Sequence, residues 1–107
     1  MFNEKNLGSI FKEAQLLQSK VADIQNELAQ KTVEASVGGG MVKVTANGLN
    51  QILSIKVDEE LVSMQDKEVL EDLIVGVIND VHSKVKELSQ TEMSKLTGGI
   101  KIPGLFS

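Results

Sequence analysis

The residues best placed to do chemistry in this chain are its lysines. There are 11 of them and no arginine. Lys5 and Lys12 lie seven positions apart, on one stripe of a helix, with Lys20 nearby. Lys84, Lys86 and Lys95 form a second group toward the C-terminal end of a later apolar stripe. Ammonium groups set along a rod can touch successive phosphates, which gives salt-sensitive and largely sequence-independent binding. The competing reading is an ordinary solvated face, because Glu13, Asp23 and Glu27 sit in or beside the first stripe. Lys43 and Lys56 would share the outward face of a sheet with Thr45 and Ser54, where such residues more often keep a wet surface soluble. With no arginine and only three aromatic residues, strong readout of base edges is not expected.

Other chemistry finds no support. His82 is the lone histidine and there is no cysteine, so no companion ligand or thiol nucleophile exists. Gly38-Gly39-Gly40 lacks the Lys-Ser or Lys-Thr of a phosphate-binding loop and opens no helix, so it reads as a strand reversal. Asp58-Glu59-Glu60 lacks calcium-loop spacing and reads as an acid-rich loop. The four methionines are scattered gap-fillers. No enzyme, metal or cofactor is expected. No apolar run reaches the ~18 residues of a membrane span, and Glu4-Lys5 does not open a signal peptide. A cytoplasmic protein is the expectation.

The elements that position the lysines follow from periodicity. The 107 residues suit one domain. Leu7, Ile10, Ala14, Leu17, Val21, Ile24 and Leu28 step by three and four, predicting a helix over about 5–30 with a seam for another helix, capped by Asn3 or Asn6. Between 32 and 57 three strands alternate: Val33, Ala35, Val37; then Val42, Val44, Ala46; then Leu53, Ile55, Val57. The period of two predicts an antiparallel β-meander with one face buried, turned at the triple glycine and at Asn47-Gly48. A second helix is predicted over about 66–96, capped by Asp66, with an apolar stripe from Leu70 to Leu88. Gly76 within it suggests a close backbone contact. Residues 97–107 read as a loose tail.

Geometry adds a shape. A helix of ~25 residues is ~38 Å long, whereas a seven-residue strand spans ~23 Å. Both helices should therefore overshoot the sheet and form an arm, with Lys5, Lys12, Lys84, Lys86 and Lys95 near its tip. Net charge is −4, and residues 58–80 alone carry −7, which stays at the base. Such an arm leaves part of its seam wet, and a second copy is the simplest cover, so a symmetric homodimer is expected.

The chain resembles the YbaB/EbfC family of bacterial nucleoid-associated proteins. The resemblance rests on the Gln-rich heptad helix, on Gly38-Gly39-Gly40-Met41-Val42-Lys43-Val44, and on Asn47-Gly48 before Ile52, Ile55 and Val57-Asp58. It continues through Leu70-Glu71-Asp72-Leu73-Ile74 and Asn79-Asp80 to Met93-Ser94-Lys95-Leu96-Thr97-Gly98-Gly99 and Pro103-Gly104. It departs from the family in having Val77 and Val81 where alanine is usual, and in lacking arginine. The resemblance implies an α+β subunit in a tweezer-like homodimer that binds duplex DNA in the cytoplasm and helps organise the nucleoid or modulate gene expression. An adaptor docking on repair, replication or nucleoid proteins is the alternative.

Overall fold

Apolar spacing, turn residues and caps generate six elements in the computed structural model, which describes the backbone of residues 4–97 and the side chains of 7–95. They are α1 (Glu4–Gln30), β1 (Thr32–Val37), β2 (Val42–Asn47), β3 (Ile52–Val57), α2 (Glu59–Ser63) and α3 (Lys67–Thr97). The expected α+β order of long helix, antiparallel meander and long helix is present, with strand order β1-β2-β3. The proposed cap at Asn3 and most of the tail lie outside the described residues.

The triple glycine does what its composition requires. Gly38, Gly39 and Gly40 all hold positive φ, at 63°, 67° and 92°, a region closed to most side chains. The Asn47-Gly48 turn works differently from the two-residue hairpin reversal, with positive φ at both positions, that such a pair suggests. Neither residue has positive φ; Asn50 does, at 66°. Asn47 is buried, and its Oδ1 accepts from the Leu49 and Gln51 amides, both at 3.0 Å. Gly48 is glycine because α1 lies against it. A Cβ there would stand 2.6 Å from the Leu28 carbonyl oxygen. The Gly48 N–H instead donates to Leu28 O at 2.8 Å and Lys31 O at 3.0 Å, satisfying carbonyls left over at the end of α1.

The register pairs Val33 with Ala46, Ala35 with Val44 and Val37 with Val42, so these six side chains share one face. α3 lies across that face on β1 and β2, burying Val77, Val81 and Val85 against Ala35, Val42, Val44 and Ala46. Each fully buried valine of this kind is worth roughly 1.5–3 kcal/mol over leaving it exposed. The outward face carries Lys43 opposite Lys56 and Thr45 opposite Ser54, as the alternation requires.

The structure corrects the sequence reading at four points. In β3, a bulge skips Leu53, so Ile52 pairs with Ala46 and Ile55 with Val44. The apolar face of β3 is therefore Ile52, Ile55 and Val57, and α3 does not cover it: Ile55 is 46% exposed. Asp58-Glu59-Glu60 is not a loop but the start of α2, where Asp58 Oδ1 caps the Glu60 N–H at 2.8 Å. Five residues are too few to show periodicity. Gly76 has nothing within 4 Å of its Cβ position, so no close contact within the subunit explains it.

Candidate nucleic-acid interface

The chain's long axis separates two chemically different ends. The subunit measures 71 × 22 × 19 Å. At the end of the sheet formed by Val37, Val42 and Val57, the Asp58 N–H donates to Met41 O at 2.7 Å, and the −7 segment begins there. At the other end, Thr32 pairs with Asn47, and α1 departs. α3 runs from the acidic end across the sheet and continues past it, so that Glu92 meets Lys31 at the root of α1. Acid at the base and a projecting rod at the far end are thus both present.

The rod is mainly α1. Its last seam residue, Leu28, is 4% exposed, and Val21 and Ile24 are half-buried. Leu7, Ile10, Ala14 and Leu17 of the same seam are exposed in the subunit, together with Leu16 and Phe11. Phe11 and Leu16 lie off the strict heptad and widen the apolar surface beyond what spacing alone marks. In this respect the seam is divided: its C-terminal third is packed, and the rest is bare.

The candidate lysines do not gather at the tip. Lys12 and Lys20 lie exposed along α1, and Lys12 stands ~28 Å along the helix from Lys31 at 1.5 Å per residue. Lys5 is in the first turns of α1, with its side chain outside the described set. Lys84 is at the hub: its Nζ donates to Glu34 O of β1 at 2.7 Å. Lys86 follows core residue Val85 and is likewise at the level of the sheet. Lys95 is at the root of the arm, 3.2 Å from Glu92. Lys84 and Lys86 were expected near the tip because α3 was expected to overshoot as far as α1, but most of α3 is spent crossing β1 and β2.

Sequence reasoning missed a three-residue charge cluster. Lys31 Nζ stands 2.5 Å from Glu92 Oε1, and Lys95 reaches the same oxygen. The Glu92 side chain is only 4% exposed. The hydrogen bond from Lys31 holds the Glu92 carboxyl below the usual carboxylate range, helped by Lys95 and opposed by burial. The same bond raises Lys31 above the ordinary lysine value. One signal was available: the spacing Val81, Val85, Leu88, Glu92 continues the inner stripe of α3 with an acid. Among the described residues, no group of three or more His, Cys, Asp or Glu side chains is placed to hold a metal. Likewise none of the helices among those residues is long and apolar enough to cross a membrane.

A bare helical rod on a three-stranded hub, acidic at the opposite end, defines a class of small α+β proteins built around a projecting arm. The YbaB/EbfC DNA-binding family matches residues 3–100, and the chain belongs to that family. A nucleoid-associated protein of Thermoanaerobacter sp. strain X514 is 46% identical over 101 residues, covering 94% of this chain and 91% of the relative. A nucleoid-associated protein of Syntrophobacter fumaroxidans is 52% identical over 93 residues, covering 87% and 84%. The crystal structure of an uncharacterised Helicobacter pylori protein superposes with a TM-score of 0.73 at 21% identity, over 91% of this chain and 99% of that one, a likeness of fold.

Proposed function

We propose that this protein is a nucleoid-associated protein that binds duplex DNA as a homodimer, largely through the phosphate backbone. Two α1 arms straddle the duplex, and lysines along them contact phosphates. The protein thereby organises the nucleoid, or modulates gene expression, in the cytoplasm. One observation carries the reading in a chain of this family: Lys12 and Lys20 line a rod at the opposite end of the molecule from the −7 segment. A net charge of −4 opposes DNA binding only if it is spread evenly. The dimer is supported by two bare apolar surfaces, the inner face of β3 at Ile52 and Ile55 and the α1 seam at Leu7, Ile10 and Leu17. Contiguous surfaces of this kind mark interaction sites.

The test is DNA binding measured at rising salt. Each phosphate contact contributes about 0.9 to the slope of log K against log salt. Lys12→Gln with Lys20→Gln should lower the slope by about 2 per subunit and weaken binding across sequences alike. Lys43→Gln with Lys56→Gln, on the outward sheet face, should leave it unchanged. Equal slopes for the arm variant and the wild type remove the arm lysines from the mechanism.

A second reading has its own observation. Val62 and Met64 are each more than half exposed among Glu59, Glu60 and Asp66, at the acidic end where DNA is repelled. An adaptor would use that end to dock a repair, replication or nucleoid protein. A pull-down with and without nuclease separates the two, because a partner held through DNA is lost on digestion.

A further inference from the structure

The direction of the α1 rod within a subunit depends on very few groups. From Leu7 to Lys20 every α1 side chain is exposed. The helix is pinned at its end by Gly48, whose N–H bonds Leu28 O and Lys31 O, and by the buried Leu28 side chain. These contacts define a pivot. About 22 residues beyond it make a lever of ~33 Å, so a 10° swing moves the tip by ~6 Å. That is about half the ~12 Å width of a major groove.

The charged contact across this joint is the one between Lys31 and Glu92. Lys31 is the single residue between α1 and β1. Its ammonium reaches a carboxylate 61 positions away, on α3. Lys95 bonds the same oxygen, but it belongs to α3 and travels with Glu92. The Lys31 bond therefore adds a polar tie across the joint to the apolar packing of the half-buried Val21 and Ile24. A carboxylate this buried is costly to leave with fewer partners. The charges facing the pair are Lys20, Asp23 and Glu27 from α1, which line with Glu92 and Lys95 a shallow cleft of about 290 Å³ at the joint.

We propose that Lys31 and Glu92 are positioning residues that set the angle of the α1 arm on the hub. This deepens the DNA-binding reading and rests on it for its functional meaning: the pair fixes the opening between arms without touching DNA. A binding element must be held within about 10–20° of its productive geometry, and an ion pair with one buried partner at the pivot is placed to help hold it.

The chain has no cysteine, so introduced labels are unambiguous. Nitroxides placed at Gln15→Cys on the rod and Ser36→Cys on the outer sheet face report the arm angle by pulsed electron resonance. The full chain is used, diluted with unlabelled protein so that only the distance within one subunit is read. In this labelled background Glu92→Gln and Lys31→Met should each broaden the distance distribution at least twofold. The double variant should be no broader than either alone, because the same bond is lost. Lys95→Met should leave the width unchanged, and Lys31→Arg should restore it. If Glu92→Gln fails to fold, Lys31→Met carries the test, since Glu92 then keeps Lys95. An unchanged width in Lys31→Met overturns the proposal. The distances need no DNA, so a firm joint in a chain that binds no DNA defeats the binding reading alone.

Discussion

Leu7 and Leu28 occupy equivalent positions of one heptad seam, three heptads apart, and meet opposite fates. Leu28 is 4% exposed against Gly48 and the end of the sheet; Leu7 is 45% exposed on the rod. β2 and β3 differ in the same way. Val44 and Ile55 face each other in register, yet Val44 is fully buried under α3 and Ile55 is open. Within one subunit the hub satisfies only the seam and sheet residues that α3 and the turn at Gly48 can reach. The residues left bare are the continuation of the same two patterns. A pattern that runs from a buried region into an exposed one marks an interaction surface, and a second copy is the cover we propose for it.

The largest effects are expected where the packed half begins. Gly48→Ala places a methyl 2.6 Å from a backbone oxygen, which cannot rotate away. The turn must shift, and the docking of α1 is lost with it; about 3 kcal/mol of unfolding free energy should go, read as a lower urea midpoint. Leu28→Ala should cost about 2–5 kcal/mol by the same measurement, as a buried large-to-small change. If Gly48→Ala were as stable as the wild type, the close approach of α1 to the turn would be wrong.

The bare half should respond differently. Ile10→Ser and Leu17→Ser remove exposed apolar surface, so within the subunit they should cost at most about 0.5 kcal/mol. Their effect should appear in sedimentation, as a shift from dimer toward monomer at micromolar concentration. Ile55→Asp should do the same through β3. A dimer that survives Ile10→Ser, Leu17→Ser and Ile55→Asp together would mean that another surface holds the copies, and the contrast between Leu7 and Leu28 would lose its meaning.

How much of this was legible depends on the range of each interaction. Helix and strand periodicity is local, and the glycines at 38–40 encode positive φ directly, so the order of the two long helices and three strands could be read from the residues, while the five-residue α2 could not. What escaped was set by long-range contact. Gly48 reads as a turn residue, but its lack of a side chain is required by Leu28, 20 positions away. The bulge at Leu53 shifts which β3 residues face inward, and nothing in the alternation of Leu53, Ile55 and Val57 announces it. The placement of Lys84 beside Glu34 and of Lys95 beside Glu92 depends on how far along the sheet α3 starts. No local pattern marks Lys31, because its partner lies 61 residues on. Lys12 and Lys20 were legible as exposed because every side chain of α1 from Leu7 to Lys20 is exposed in the subunit, so helix geometry alone places them.

The smallest effect, and the one most specific to the joint between the two regions, is its pH dependence. Glu92 has its folded pKa depressed below the ordinary 4.5, first by the Lys31 hydrogen bond and then by Lys95. Its contribution to stability is therefore complete above the unfolded value and is lost as pH falls through the lower folded one. Lys31 has its folded pKa raised above 10.5, first by the same bond to Glu92. Its contribution is complete below 10.5 and is lost as pH rises through the higher folded value. The joint should thus hold firm between about pH 4.5 and 10.5 and loosen outside that window on both sides. Thermal melts across pH should show the wild type losing stability in acid over a step that Glu92→Gln lacks, because the variant has no carboxyl to protonate at that position. In alkali the variant should lose the shoulder above pH 10.5 as well, since Lys31 no longer faces an anion there. An acid step of equal size in both proteins would assign it to carboxylates of the hub and leave the Lys31–Glu92 bond without a measurable share in holding the arm.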